Sequence, residues 1–258
     1  MRAPTTSLLA AGDPPVVEIL HPEGASPFFL VSDHAGRQIP ARLGELGLPE
    51  SELDRHIAWD PGIAPVTRQM ASSLDATAIL QLYSRLVIDC NRPIGSPTSI
   101  ATLSETTEIP GNRDLTPNER AMRAAEIFIP YHDAIRIALD KRNEEGRRTI
   151  LVSMHSFTPV YKGERRPWHA GVLYRDPKLA RIMLELLRSE DGLVVGDNEP
   201  YTVNDETDFT IPVHGEQRGL PHVAIEIRQD LIATTEQQRA WAGRMVRLLK
   251  EVERKLAD

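Results

Sequence analysis

The stretch FLVSDHAG, residues 29 to 36, is an apolar run that ends in an acid, an imidazole and a glycine. Together with the preceding Phe28, the run is continuously apolar, which is typical of a strand covered on both faces of a parallel sheet. Ligands of open α/β sheets usually bind at the carboxyl ends of such strands. The stretch therefore predicts a buried strand that ends at a functional site, with Gly36 allowing the chain to turn beside that site.

Other apolar segments of the same kind predict the rest of the sheet. They are Thr77 to Leu82, Leu86 to Ile88, Thr149 to Ser153, Gly171 to Tyr174, Leu193 to Val195 and Val223 to Ile227. Helical patterns begin at four places. The first begins at Ile63, and the second begins at a capping box of Thr116 and Glu119 and leads toward Arg142, with a kink at Pro130. The third runs from about Pro177 to near Arg188, and the fourth follows a capping box of Thr235 and Gln238. Strands that alternate with helices predict a three-layer αβα sandwich with a mostly parallel sheet, and the length favours one domain over residues 1–258.

Composition narrows the class of protein. The formal charge of −7 opposes a polyanion-binding surface, so no nucleic-acid partner is expected. Cys90 is the only cysteine, which excludes an internal disulfide and favours a reducing cytoplasm. The longest apolar segments fall short of a signal peptide or a membrane helix, so we expect a cytoplasmic chain with no membrane partner. The oligomeric state stays open.

Four predicted strands finish in residues suited to metal or acid–base chemistry. His34 follows the first strand, Asp89 and Asn91 follow Leu86 to Ile88, His155 follows Ser153, and Glu226 lies within the last strand. The carboxyl ends of parallel strands share one edge of the sheet. We therefore expect these side chains to lie near one another.

Two histidines and one carboxylate match the ligand set of many catalytic zinc sites, in which a fourth position is left for water. Asp60, in the stretch RHIAWDPG, is the candidate carboxylate, and His56 is the alternative third ligand. One zinc ion, or another divalent metal, is the expected cofactor. The structural alternatives are a histidine that donates to a loop carbonyl and an Asp60 that caps a helix.

Glu226 and Asp33 each have two interpretations. A carboxylate inside an apolar strand is costly unless it is paired, so Glu226 is either the partner of an arginine or a general base with a raised pKa. Asp33 either orients a metal ligand from behind or pairs with a nearby positive charge.

Arginines near the strand ends predict a small, carboxylate-bearing substrate. Arg85, Arg92 and Arg228 are the candidate substrate-binding residues, with Asn91 between the first two, because arginine binds carboxylates through two parallel hydrogen bonds. Structural pairing with Asp33, Asp89 or Asp230 is the alternative.

The remaining histidines divide into two groups. His214, in the loop stretch IPVHGEQRG, is a candidate for stabilising an oxyanion, or else a solvated loop residue. The others show no partner pattern and are interpreted as structural: His21, His132, His169 and His222. Ser156 lacks the G-x-S-x-G surroundings of a serine hydrolase.

In this order, the stretches SDHAGRQIP, RHIAWDPG, SRLVIDCNRP, VSMHSFTP, DNEPY and IPVHGEQRGLPHVAIEIRQDLI resemble the N-formylglutamate amidohydrolase family over residues 27 to 250. The resemblance implies a phosphorylase/hydrolase-like αβα sandwich similar to that of zinc exopeptidases, and a ligand arrangement like that of zinc N-acetylmuramoyl-alanine amidases. Carried over by position, zinc is expected on His34, Asp60 and His155, with Glu226 as the catalytic carboxylate. The family's first motif is closer to PHAG and its second histidine follows Asp-Ala, whereas this chain has Asp33 and Ser153-Met154 at those places.

The resemblance implies hydrolysis of the amide bond of an N-acyl amino acid, with N-formyl-L-glutamate as the first candidate substrate. The departures from the motifs leave a rival within the same chemistry, an amidase for another N-acyl amino acid or a cell-wall peptide. A rival of another class is a carboxylate-binding protein without catalysis.

Overall fold

A seven-stranded sheet forms the centre of the computed structural model, which describes residues 7–256 of the chain. In chain order, the strands are β1 (Val17–Leu20), β2 (Phe28–Ser32), β3 (Thr77–Gln81), β4 (Leu103–Ser104), β5 (Thr107–Glu108), β6 (Ile150–Phe157), β7 (Val160–Tyr161), β8 (Glu164–Arg165), β9 (Ala170–Leu173), β10 (Val195–Asp197) and β11 (His222–Arg228). The sheet order is β1-β3-β2-β6-β11-β9-β10, while β4 with β5 and β7 with β8 form separate hairpins. The pairs β1 with β3 and β11 with β9 are antiparallel and the other four are parallel, which confirms the predicted mixed, mostly parallel sheet.

Helices cover both faces of this sheet. They are α1 (Glu50–Leu53), α2 (Ile63–Leu74), α3 (Pro117–Arg123), α4 (Ile129–Glu144), α5 (Pro177–Arg188) and α6 (Thr235–Lys255). Apolar side chains of α2, α5 and α6 pack on one face, and those of α4 with the neighbouring loops pack on the other. The predicted three-layer αβα arrangement is therefore confirmed. No helix of the described part of the chain is long and apolar enough to cross a membrane.

The segment Leu86 to Ile88 is a buried turn, so the prediction of a strand there was wrong. Two side chains satisfy backbone carbonyls that a strand would pair in a ladder. Asn112 Nδ2 donates to the Leu86 oxygen at 2.8 Å, and Arg123 Nη1 donates to the Val87 oxygen at 2.9 Å. The apolar pattern of this segment reflects its burial and not a strand. The partners of its carbonyls lie more than twenty residues away in the sequence, so the local pattern could not show them.

Other element boundaries also differ from the predictions. Strand β6 extends to Phe157, so His155 lies inside this strand instead of after it. The second capping box is formed by Thr234 and Gln237, one residue earlier than predicted, because the sequence TTEQQ fits the pattern in both registers. The chain before Pro130 forms a π-helical turn over Ala124–Phe128, at the place where a kink was predicted.

Gly36 is required by close packing against the end of strand β3. A Cβ atom at this position would lie 1.9 Å from the backbone oxygen of Leu82, far inside van der Waals contact. The expected need for glycine beside the site is therefore corrected: the backbone of Leu82, and not the site, leaves no room for a side chain. This contact fixes the path of the chain that follows β2.

Candidate active site

The three predicted metal ligands meet at the carboxyl edge of the sheet. One nitrogen of His34, one of His155 and one oxygen of Asp60 all lie within 4.8 Å of one another, and the three residues are buried. Asp60 Oδ2 is 3.0 Å from His155 Nδ1 and 3.5 Å from His34 Nδ1. The loop that carries Asp60 is fixed to the strand end, since its backbone N–H donates to the His34 oxygen at 2.9 Å.

A second carboxylate lies behind each histidine. His34 Nε2 is 2.7 Å from Asp89 Oδ1, and His155 Nε2 is 3.1 Å from Asp33 Oδ2. A hydrogen on each Nε2 leaves the Nδ1 lone pairs directed at the common centre, which is the usual support of a metal-binding histidine. With a metal on Nδ1, these contacts would favour the tautomer in which each Nε2 carries the hydrogen. Within residues 7–256, the buried His34 Nδ1 has no hydrogen-bond partner, so the donor set fits a metal ion.

Asp33 is held in place from two further directions. Tyr131 Oη donates to Asp33 Oδ1 at 2.8 Å, and Thr210 Oγ1 donates to the same oxygen at 2.6 Å. The contact of Asp33 with His155 fits the interpretation in which Asp33 orients a metal ligand, and no arginine or lysine of the described residues lies within ion-pair distance of it. Tyr131 and Thr210 were not identified from the sequence, because they lie 98 and 177 positions away from Asp33.

The electrostatics of this centre favour a cation. Burial alone would lower the pKa of His155, but Asp33 and Asp60 outweigh burial and raise it well above its usual value. Burial would raise the pKa of Asp89, yet Arg85 and His34 hold it well below its usual value. Three carboxylates and one guanidinium leave two negative charges around the imidazoles. These charges attract protons to the two histidines, and a divalent ion would replace those protons.

Glu226 lies beside this centre, and its carboxylate has no partner among the described residues. It stands next to His155 in the parallel register of β11 and β6, and it is 6% exposed. Burial raises the pKa of Glu226 to about 7, Asp60 adds to the rise, and His155 opposes it. Its Oε2 accepts no hydrogen bond, and the described residues place no arginine within ion-pair distance of it. The alternative of a structural ion pair is therefore not what the structure shows.

These residues form one wall of a solvent-accessible cleft of about 540 Å³. The cleft is lined by the candidate metal and acid–base residues His34, Asp60, His155 and Glu226, and by Arg85, Asn91, Arg92, Tyr161 and Tyr201, among others. Residues of both predicted loop segments, 92 to 117 and 197 to 221, line the cleft. The prediction of long loops is corrected in part, because the first segment contains the hairpin β4–β5 and the second contains a π-helical turn over Ile211–Glu216. A small ligand fits a space of this size.

A sequence profile of the N-formylglutamate amidohydrolase family matches residues 26–233. The chain belongs to this family. A curated relative, the N-formylglutamate deformylase of Pseudomonas putida, is 30% identical over 150 residues, which cover 52% of this chain and 53% of the relative. The chain thus matches about half the length of that protein.

Two solved structures extend the comparison over nearly the whole fold. The gene product Atu2144 from Agrobacterium tumefaciens is 36% identical, with a TM-score of 0.94 over 97% of this chain and 100% of that chain. The N-formylglutamate amidohydrolase from Ralstonia eutropha JMP134 is 20% identical, with a TM-score of 0.68 over 93% and 98% of the two chains. At this lower identity, the second likeness shows the fold alone.

The predicted substrate-binding residues that line the cleft differ in whether their side chains already have hydrogen-bond or ion-pair partners. Arg85 Nη2 pairs with Asp89 at 2.7 Å, and its Nη1 is 3.5 Å from Asp60. The Asn91 amide donates to Asp208 and accepts from two backbone N–H groups of the opposite loop. Arg92 donates only to the backbone oxygens of Asn91 and Thr207. Arg85 and Asn91 therefore already have partners, while the charge of Arg92 has no acidic partner within residues 7–256.

Arg228 lies outside the cleft, so its predicted role in substrate binding is corrected. Its guanidinium binds Asp230 at 2.8 Å and faces the backbone oxygens of residues 166 to 168. These contacts tie strand β11 to the segment before β9. Structural pairing with Asp230, the stated alternative, is what the structure shows.

His214 also lies outside the cleft and is corrected as a candidate for stabilising the oxyanion. It is buried in the π-helical turn Ile211–Glu216, and its Nε2 lies 2.9 Å from Nδ1 of His132. His56 does line the cleft, but its Nε2 faces Glu105 at 3.6 Å and is outside the three-ligand group. The geometry therefore selects Asp60 over His56 as the third ligand.

The His132–His214 pair predicts a loss of stability in acid. Burial lowers the pKa of His214 to about 3 and that of His132 to about 4, so the unfolded chain binds protons first as the pH falls. Stability is therefore complete above pH ~6.5, and each histidine removes about 2 kcal/mol between pH 6.5 and pH 5. Replacing His214 by Gln should make the free energy of unfolding fall less steeply over this range, as measured by urea denaturation in a chelator. Parallel pH profiles for the two chains would contradict this assignment.

Proposed function

We propose that this chain is a zinc-dependent amidohydrolase that cleaves the amide bond of an N-acyl amino acid, with N-formyl-L-glutamate as substrate and formate and glutamate as products. The observation that carries the proposal is the buried, unpartnered carboxylate of Glu226 beside a three-ligand donor set. A structural carboxylate in this position would be costly without a partner. Membership of the N-formylglutamate amidohydrolase family supports the same reaction.

His34, Asp60 and His155 would hold the metal, each through the atom that faces the common centre. When bound there, zinc supplies Lewis acidity toward water and toward the acyl oxygen. Asp33 and Asp89 keep the two imidazoles in the tautomer that leaves Nδ1 free. These five residues would therefore fix the position of the metal ion before the substrate binds.

Glu226 carries the proton transfers in this proposal. Its carboxylate accepts a proton from the attacking water as the bond to the acyl carbon forms, and the protonated acid then donates to the nitrogen of the leaving amine. A pKa of about 7 suits both halves of this cycle, because the group can exist in either form near neutral pH. Arg85, which lies in the cleft 3.5 Å from Asp60, takes the place proposed for His214 as the positive charge near the developing oxyanion.

A panel of substrates tests this function. The purified chain, loaded with zinc, should release formate from N-formyl-L-glutamate with a kcat/KM at least 10-fold higher than for N-acetyl-L-glutamate or for a muramoyl peptide. A preference for either of the other two would contradict the N-formyl assignment and favour the rival amidase. Binding of these compounds without turnover would instead favour a carboxylate-binding protein.

A further inference from the structure

Arg166 is a cation beside the cleft that the sequence patterns did not identify. It lies between hairpin β7–β8 and strand β9 and is half-buried. Its guanidinium carbon is 4.7 Å from the ring centre of Tyr161 and 4.8 Å from that of Tyr201, and both rings line the cleft. Contact with two aromatic faces fixes the orientation of the guanidinium, in contrast to a freely solvated arginine.

The hydroxyl of Tyr201 has one hydrogen-bonding function left. Arg166 Nη1 donates to Tyr201 Oη at 2.8 Å, so the hydroxyl oxygen is an acceptor in this contact and its own proton is available to another acceptor. Tyr201 lines the cleft and is 43% exposed. Its proton can therefore be donated to a ligand in the cleft.

The loop that carries Tyr201 is fixed against the sheet. A Cβ atom at Gly171, in strand β9, would lie 2.0 Å from the Glu199 oxygen, so the loop backbone rests directly on this strand. Gly171 is also the neighbour of Glu226 in the register of β9 and β11. This packing places the loop of Tyr201 against the strand that neighbours Glu226.

The charge balance of the cleft identifies what this pair would bind. Arg85 is engaged with Asp89 and Asp60, and Arg228 lies outside the cleft. Arg166, in contrast, has no carboxylate of residues 7–256 within ion-pair distance. Arg92, which also has no acidic partner within residues 7–256, donates to two backbone oxygens of the cleft loops. A guanidinium without an acidic partner, next to a free phenolic proton, is a donor pair for the oxygens of a carboxylate. Both side chains are partly exposed, which places the pair at the rim and away from the reacting acyl group.

We propose that Arg166 and the Tyr201 hydroxyl bind a carboxylate of the amino-acid part of the substrate. This assignment rests on the proposed function, in which the acyl group lies at the His34–Asp60–His155 centre. The amino-acid part then extends toward the rim of the cleft. Arg166 thereby takes the role that the sequence suggested for Arg228.

The test combines one variant with three substrates. Arg166→Gln is compared with Arg165→Gln, which makes the same change at the exposed neighbour on β8. The substrates are N-formyl-glutamate, N-formyl-glutamine, which lacks the side-chain carboxylate, and N-formyl-isoglutamine, which lacks the α-carboxylate. For N-formyl-glutamate, Arg166→Gln should lower kcat/KM by about 10- to 100-fold, mainly through KM, as expected for the loss of hydrogen bonds to a charged group. Arg165→Gln should stay within about 2-fold of the wild type.

The carboxylate concerned is identified by the substrate whose turnover no longer depends on Arg166. Tyr201→Phe keeps the ring that contacts Arg166 and removes the hydroxyl, so it should show a smaller rise in KM for the same substrates. Equal losses with all three substrates in Arg166→Gln would overturn the assignment.

A binding measurement separates failure of this inference from failure of the proposed function. If the wild type hydrolyses none of the three compounds, the proposed function fails, and L-glutamate is titrated into the zinc-loaded chains by calorimetry. Weaker binding to Arg166→Gln than to Arg165→Gln would still support the carboxylate site. Equal binding to the two variants, or no binding to the wild type, would overturn it.

Discussion

Replacing Glu226 by Gln is expected to lower kcat for the proposed substrate by about 10²- to 10⁴-fold, the usual contribution of a positioned general acid–base group. The amide keeps the shape of the side chain but cannot accept the proton of the attacking water. The metal ligands are left intact, so bound zinc per chain should equal that of the wild type. Steady-state kinetics and elemental analysis of the same preparation check both statements.

Stability separates a catalytic role of Glu226 from a structural one. Because the folded-state pKa of Glu226 is raised to about 7, the wild-type chain loses stability as the pH rises from about 4.5 to about 7, and the loss is complete by about pH 8. At pH 8 the neutral Glu226→Gln variant should therefore unfold at the same temperature as the wild type or at a higher one. Glu164→Gln, the same change on the exposed strand β8, serves as the control for both activity and stability. A Glu226→Gln variant that keeps a third of the wild-type kcat would exclude Glu226 as the base.

The sequence predicted the core of the fold because local patterns determine it. Strand β2 and helix α5 lie where the apolar runs and the helical pattern placed them, with helix α5 matching its predicted bounds. The segment Leu86 to Ile88 was mistaken for a strand because burial gives the same apolar signal in a turn as in a sheet. What distinguishes the two is the source of the hydrogen bonds, and here that source is Asn112 and Arg123.

The metal ligands were predictable for a different reason. His34 follows strand β2 and His155 lies near the carboxyl end of strand β6, and the sheet itself brings these positions together. The sequence offered the pairing of Arg228 with Asp230 as an alternative but could not decide it, because the guanidinium also faces carbonyls about sixty residues away. Arg166 gave no strand-end signal, since it follows a two-residue strand of a short hairpin.

The burial of His214 was not predictable from the sequence either. Its stretch has the composition of a solvated loop, yet the residue is 3% exposed and stacks on His132 from helix α4. The contact joins positions 82 residues apart. No sequence pattern within the loop indicates the contact between His214 and His132. The burial of His214 could therefore be learned only from the three-dimensional structure.

The second large effect, on zinc binding and turnover, is expected from substitutions of the metal ligands. His34→Ala, Asp60→Asn and His155→Ala should each weaken zinc binding by at least about 100-fold, more than the loss of a supporting carboxylate, and should abolish turnover. Asp33→Asn keeps all three ligands but replaces the carboxylate that orients His155, so a smaller loss of about 10- to 100-fold in zinc affinity is expected. Competition with a chelator of known affinity gives these values.

His56→Ala is the matched control for the ligand set, because His56 lines the same cleft but faces Glu105. It should retain one zinc ion per chain, whereas Asp60→Asn should not, which decides between the two candidates for the third ligand. Stoichiometric zinc that survives both His34→Ala and His155→Ala would show that the ion binds elsewhere. Metal removal supplies an independent check: because the ion binds the folded chain and not the unfolded one, the chelated wild type should melt at a lower temperature than the zinc-loaded chain. The same treatment should leave the melting temperature of His155→Ala unchanged, because that variant no longer binds the ion.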